Sequence, residues 1–123
     1  LKPGVHSVDA KTGELLWSKI NPNTCGNIKF CDPGVSAALT AIPGAVIAGH
    51  GDGKIRVYNK NDGEILWSFN ALKEFKSVSG VPASGGGFSG PGSAIRNGYM
   101  AMNSGYGIYY HMPGNALLLF SVD

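Results

Sequence analysis

No apolar run in the 123-residue chain approaches the roughly 18 residues a membrane-spanning helix needs, so the sequence holds no such span. Nor does it carry the charged-then-apolar pattern of a signal peptide. Charge of one sign is scarce: the formal net charge is +2, and Lys54, Arg56, Lys60 and Arg96 are scattered, which speaks against a nucleic-acid partner. Helical periodicity is missing too. The single short helix candidate, 71–75, is too brief to be stable on its own. Gly (19) and Pro (7) make up about a fifth of the chain, short of low-complexity composition and without a Gly-X-Y period. What remains is a globular β protein with many turns.

Its organising feature is a repeat. Residues 53–67, GKIRVYNKNDGEILW, are a variant of residues 4–17, GVHSVDAKTGELLW, and align without a gap at an offset that takes Gly13 to Gly63, Glu14 to Glu64, Leu16 to Leu66, Trp17 to Trp67 and Ser18 to Ser68. Self-similarity at such a period marks a solenoid or a propeller. Each copy reads as a hairpin: an alternating run, a turn rich in Asn, Asp, Thr and Gly, then a second run ending in Trp. Ile55 and Val57 fall on one face and Arg56 and Tyr58 on the other; beyond the turn, Ile65, Trp67 and Phe69 share a face. A Trp at a fixed place in each hairpin suggests a ring that packs where neighbouring sheets meet, so Trp17 and Trp67 are expected to be structural.

The phrase Asp9, Thr12, Gly13, Trp17 resembles the tryptophan-docking repeat of the pyrroloquinoline-quinone (quinoprotein) propellers. More narrowly, residues 36–44 (SAALTAIPG), 90–92 (GPG), 103–107 (NSGYG) and 112–123 (MPGNALLLFSVD) resemble the C-terminal part of polyvinyl-alcohol dehydrogenase-like proteins. The second copy departs from the repeat, with Asn59 in place of the Asp and Asp62 in place of the Thr. The fold implied is all-β: a partial propeller of about two and a half four-stranded antiparallel blades belonging to a larger ring. Residues 1–19 supply the outer hairpin of a first blade, 36–70 a complete blade with its inner strand over 36–42, and 93–123 an incomplete last blade. Closed rings typically have about 4 to 8 blades of about 40 to 50 residues, so the chain is expected to be a sector of a longer protein. Its partners would then be the remainder of the propeller or other copies of the chain.

The resemblance implies alcohol oxidation, in which a carboxylate base takes the hydroxyl proton, the quinone accepts hydride, calcium polarises the quinone and a cytochrome takes the electrons. Most of those roles fall outside this sequence, so pyrroloquinoline quinone and calcium are expectations for the parent protein and neither is assured here. A small alcohol is the implied substrate. The competing reading is a non-catalytic secreted propeller that serves as a binding or scaffold module, since fold does not set function.

Cys25 and Cys31 lie in one turn-rich loop. Closing so short a loop is worth about 2 to 3 kcal/mol, which favours a disulfide over a pair of buried thiols. A disulfide implies an oxidising compartment, hence a secreted or periplasmic location. The haem signature Cys-x-x-Cys-His and the adjacent-cysteine disulfide of many quinoprotein alcohol dehydrogenases are both missing. Residues 85–90, GGGFSG, match Gly-x-Gly-x-x-Gly literally, but Pro91 and Gly92 follow where a dinucleotide site needs a helix. That run reads instead as a loop whose backbone closely approaches a ligand or a neighbouring sheet. At the turn of Asn59, Asn61, Asp62 and Gly63, Lys60 and Tyr58 stand where a calcium loop would require carboxylates. His6, His50 and His111 read as ordinary histidines. Tyr106, Tyr109 and Tyr110 either wall a ligand pocket or pack on the last sheet. Candidate cofactor-contacting residues are Ser36, Ser89 and Asn103, with Arg56 and Tyr106 behind them; no catalytic residue and no metal ligand stands out.

Overall fold

The computed structural model describes residues 2–107 and 109–122, and among these it is all-β, with thirteen strands and no helix. Strands β1 (Gly4–Val8) and β2 (Leu15–Ile20) form a two-stranded antiparallel hairpin. After β3 (Ser36–Ala37), strands β4 (Thr40–Ile42), β5 (Ala45–Gly49), β6 (Lys54–Asn59) and β7 (Ile65–Asn70) build a four-stranded antiparallel sheet in chain order. A small hairpin, β8 (Glu74–Lys76) and β9 (Pro82–Ser84), and the short β10 (Ser89–Gly90) precede a three-stranded sheet of β11 (Ala94–Arg96), β12 (Tyr99–Ser104) and β13 (Ala116–Ser121).

One expectation needs correction. The inner strand expected over 36–42 is two pieces. β4 belongs to the four-stranded sheet, whereas β3 pairs in parallel with β10, and Gly90 accepts the Ala38 amide between them. Residues 71–75, too short a stretch for a stable helix, form none, and their amides are engaged elsewhere. Ala71 donates to Gly53, Leu72 to the Asn70 side chain, and residues 74–76 pair with 82–84.

The two copies of the repeat agree in detail. Each carries the same register shift, at Ser7/Val8 and at Val57/Tyr58. In each the turn glycine donates to the residue four before it, Gly13 to Asp9 and Gly63 to Asn59, both at 2.8 Å, and both glycines have φ of 74°. The sequence departures keep the acceptors. Asp9 Oδ1 takes the amides of Lys11 and Thr12, and Asn59 Oδ1 takes that of Asn61; Thr12 Oγ1 receives the Glu14 amide, and Asp62 Oδ1 receives that of Glu64. Those amides hold the Asp9 carboxyl below the usual range.

The two middle strands of the four-stranded sheet, β5 and β6, are covered on both faces. Ile47 and Ile55 pack with Phe88, Met102, Ala116 and Leu118, with Val57, Phe69 and Phe120 beside them, toward the last sheet. Ala48 and Tyr58 pack with Val5 and Trp17 toward the first hairpin. Trp17 makes the first of these joints specific: its indole N–H donates to the Lys60 carbonyl at 2.7 Å, and its ring lies on Gly63, where a Cβ would collide with it. Trp67 occupies the corresponding place at the second joint, stacked on Phe69 and edge-on to Phe120 at 5.5 Å.

Glycines 13 and 63 therefore form a matched pair, with identical turns but different surroundings, since nothing lies near a Cβ at Gly13. Gly13→Ala should cost about 1 kcal/mol for its positive φ alone. Gly63→Ala should cost about 1 to 3 kcal/mol more, because Trp17 must also move. Chemical denaturation of the two variants tests the difference, and equal losses would mean that the ring does not depend on the turn.

Candidate functional site

The long connections 20–35 and 71–92 meet through the parallel pairing of β3 with β10, which sets Ser36 opposite Ser89. Beneath that junction lies a polar cluster contributed by three segments. Asn21 comes from the first connection, His50 and Asp52 from the turn after β5, and Arg56 and Tyr58 from the inward face of β6. All five are at most 4% exposed.

The cluster satisfies its own hydrogen bonds. Asn21 Nδ2 donates to Pro33 O (2.6 Å) and to His50 Nδ1 (2.7 Å). With its proton on Nε2, His50 donates to the Tyr58 hydroxyl (3.0 Å), which in turn donates to Asn21 Oδ1 (3.2 Å). Arg56 grips Asp52 with two nitrogens, at 3.1 and 2.7 Å, and Thr24 donates its hydroxyl to Asp52 Oδ2 (2.8 Å). Burial and then the neighbouring Arg56 charge push His50 down to about 4, and burial pushes Tyr58 up to about 12. Burial opposes ionisation of Asp52, yet the bonds from Arg56 and Thr24 prevail and its pKa is lowered. The cluster is charge-paired with a neutral histidine, and it pins the first connection to the four-stranded sheet.

The disulfide expected from the loop is formed. Cys25 and Cys31 are bonded, with Cα atoms 5.5 Å apart, immediately after Thr24. The glycine run of the second connection approaches backbone from both sides. Gly86 donates to Ser104 Oγ and accepts from it, and a Cβ at Gly86 would strike the Met112 carbonyl.

Two concavities among the described residues adjoin these elements. An apolar groove of about 490 Å³ runs along the seam between the four-stranded and three-stranded sheets, bordered by Ile42, Val57, Trp67, Ile95, Tyr99 and Phe120. It offers packing surface and almost no polar chemistry. The second, of about 440 Å³, is polar and opens beside the junction, walled by Asp32, Gly34, Ser36 and Gly51 on one side and by Tyr109, Tyr110 and His111 on the other.

Of the candidate residues, Ser36 lines this polar pocket. Ser89 lies opposite it with a buried hydroxyl that has no hydrogen-bond partner among the described residues, set against Gly107 and close to His111. Asn103 is exposed on β12 opposite Leu117, and Tyr106 is exposed away from the pocket lining. Arg56 is buried on Asp52 and does not face the pocket. Tyr109 and Tyr110 wall the pocket, the alternative left open for them in the sequence. Sequence reasoning missed Asp32, Asn21 and Asp52, and it read His50 and His111, now found in the cluster and at the pocket, as ordinary histidines. A charged residue on the inward face of β6 was the available signal for Asp52, since a buried arginine requires an acidic partner.

Pyrroloquinoline quinone is a tricarboxylate and calls for facing cations, but Arg56 is occupied and the carboxylate at the pocket is Asp32. Calcium takes about six to eight oxygens with several carboxylates among them, and no group of three His, Cys, Asp or Glu suited to a metal occurs among the described residues. These residues do not fit either group.

No family model matches the chain. Over 99% of its length it is 41% identical to a polyvinylalcohol dehydrogenase of Pseudomonas sp and 36% identical to one of Sphingopyxis sp. (strain 113P3). The chain is homologous to these proteins. It matches their C-terminal part and spans about a fifth of their length, 21% in each case. A shorter match, 37% identical over 68 residues, is to the dehydrogenase subunit of a quinone alcohol dehydrogenase of Gluconacetobacter polyoxogenes, covering 54% of this chain and 9% of that protein. No helix among the described residues is long and apolar enough to cross a membrane.

The buried cluster has measurable consequences. Arg56→Met strands the Asp52 carboxylate and should cost about 3 to 5 kcal/mol, read by denaturant titration. For His50 the folded state holds the neutral form down to about pH 4, whereas the unfolded chain takes up a proton near 6.5. Stability should therefore fall as pH drops from 6.5 to 4, by about 3 kcal/mol over the window. His50→Gln should flatten that part of the curve; an unchanged acid slope in the variant would assign it to other groups.

Proposed function

We propose that this chain forms consecutive blades of a quinoprotein-type β-propeller, within a dehydrogenase that oxidises alcohols. The observation that carries the reading is the homology along 99% of the chain to proteins named polyvinylalcohol dehydrogenase. The architecture supports it: the four-stranded sheet is one blade, the first hairpin is the outer pair of the blade before, and β11 to β13 begin the blade after. The joint from Trp17 to Lys60 and Gly63 is then the contact between one blade and the next, and Trp67 marks the following one. In this reading the connections joined through Ser36 and Ser89 lie on one face of the ring, and the Cys25–Cys31 bond suits a secreted or periplasmic protein.

The contribution of these residues is structural and positional. They close part of the ring, hold the first connection in place through the buried cluster and present the polar pocket beside it. The proton-abstracting carboxylate, the quinone and calcium belong elsewhere in the whole protein, in keeping with the misfit described above.

The test is a dye-linked alcohol oxidation assay on the 123-residue chain and on a protein of the relatives' length that contains it, each with added quinone and calcium. Turnover by the longer protein alone is expected. Turnover by the 123-residue chain would overturn the assignment of the chemistry to other parts, and a longer protein that binds alcohols without oxidising them would favour a binding module.

A further inference from the structure

Strands β11 to β13 repeat β4 to β6 pair for pair. Ile95, Met100 and Phe120 stand opposite one another in the last sheet as Ala41, Val46 and Tyr58 do in the four-stranded one. Each sheet turns between its first two strands through a positive-φ glycine, Gly98 at 78° and Gly44 at 83°. In each, the amide just past the third strand donates to that glycine's carbonyl, from Val122 at 3.0 Å and from Lys60 at 3.1 Å. Leu117 and Leu119 therefore occupy the places of Ile55 and Val57.

The repetition stops at the far side of β13. Beside β6 runs β7, which sets Phe69 opposite Ile55 and Trp67 opposite Val57, whereas β13 pairs with β12 and with no other strand among the described residues. An edge strand is ordinarily protected by a charge, a proline or a bulge. β13 (ALLLFS) contains no charged residue and no proline, and its pairing with β12 runs without a register shift. Leu117 and Leu119 are 69 and 67% exposed, where Ile55 is fully buried. Such an edge calls for a cover.

The first joint shows the form that the cover takes. There Trp17 donates to the Lys60 carbonyl, and its ring lies on Gly63, the glycine of the turn into β7. At the second joint Trp67 lines the apolar groove together with Gly98, Ser121 and Val122, and Val122 stands where Lys60 stands. The groove lies where a turn equivalent to residues 61–63 would bring its glycine under the ring.

On the reading of the three sheets as consecutive blades, we propose that β13 and this groove form an acceptor site for a strand of the protein's own polypeptide from outside residues 1–123. The strand runs antiparallel to β13, as β7 does to β6, and enters through a turn whose glycine lies beneath Trp67. Backbone hydrogen bonds to β13 supply the affinity, and the apolar groove sets the register. Proteins of the relatives' length have polypeptide to spare for it, since these residues span 21% of them.

The probe is a synthetic peptide of residues 60–70 (KNDGEILWSFN), the turn and strand that fill the equivalent place beside β6. It is titrated into the ¹⁵N-labelled 123-residue chain and followed by amide and indole NMR. Saturable shifts confined to residues 98–100, 116–122 and the Trp67 indole are expected, with slowed exchange of alternate β13 amides. A peptide carrying Gly63→Val should bind at least about tenfold more weakly, because a β-branched residue resists the positive φ and collides with the ring. Both peptides meet an unaltered protein, so folding is not at issue. In a protein of the relatives' length the peptide should find β13 already paired and should not bind. Absence of saturable shifts, equal affinity of the two peptides, binding to the longer protein, or a dimer of the chain that protects β13 without peptide would overturn the proposal. Alcohol oxidation by the longer protein beside a failure here would sink the site and leave the functional reading standing. Peptide binding at β13 without any oxidation would do the reverse.

Discussion

The middle of the four-stranded sheet has no face left for water, and the rest of the molecule is arranged around that constraint. A strand such as β6 must present apolar groups to one side and still cover what it presents to the other. Its Ile55 and Val57 meet the core shared with the last sheet, a simple burial of apolar area. On the opposite side Arg56 and Tyr58 are equally buried, and an arginine there is tolerated only because Asp52 meets it with two hydrogen bonds. The charge pair in turn requires Thr24, and Tyr58 requires Asn21 and His50, so the first long connection is drawn onto the sheet by unmet hydrogen bonds as much as by apolar contact.

That chain of requirements reaches the polar pocket. Because Asn21 also holds Pro33, the wall formed by Asp32 and Gly34 is anchored to the buried cluster, and the disulfide closes the loop between Thr24 and that wall. The lower wall of the pocket and the buried cluster are thus held by the same contacts.

The two tryptophans show how a repeat turns sequence identity into geometry. Trp17 and Trp67 stand at equivalent places, yet Trp17 has the glycine turn of the following hairpin beneath it while Trp67 leans on Phe69 and Phe120 beside an open apolar groove. The same residue therefore makes a directional joint in one case and an aromatic stack in the other, depending on which part of the next sheet lies against it.

The period-two alternation in residues 54–59 and 65–70, the Gly turns and the paired Trp were legible as hairpins because strand faces and turn dihedrals are local properties that a few residues set for themselves. The strands over 54–59 and 99–104 fall where the pattern places them, and the short Cys loop closes as its spacing favours. Long-range partners left no such trace. The parallel pairing of β3 with β10 joins residues about fifty positions apart, the Ala71 amide after β7 goes to the Gly53 carbonyl, and Asp32 lines one pocket with Tyr109 and Tyr110 from across most of the chain. Arg56 looked available because its charge was visible and its partner was not. Local conformational preference can be read residue by residue, whereas the pairing of buried polar groups is settled only when the chain closes on itself and each one must find a partner away from water.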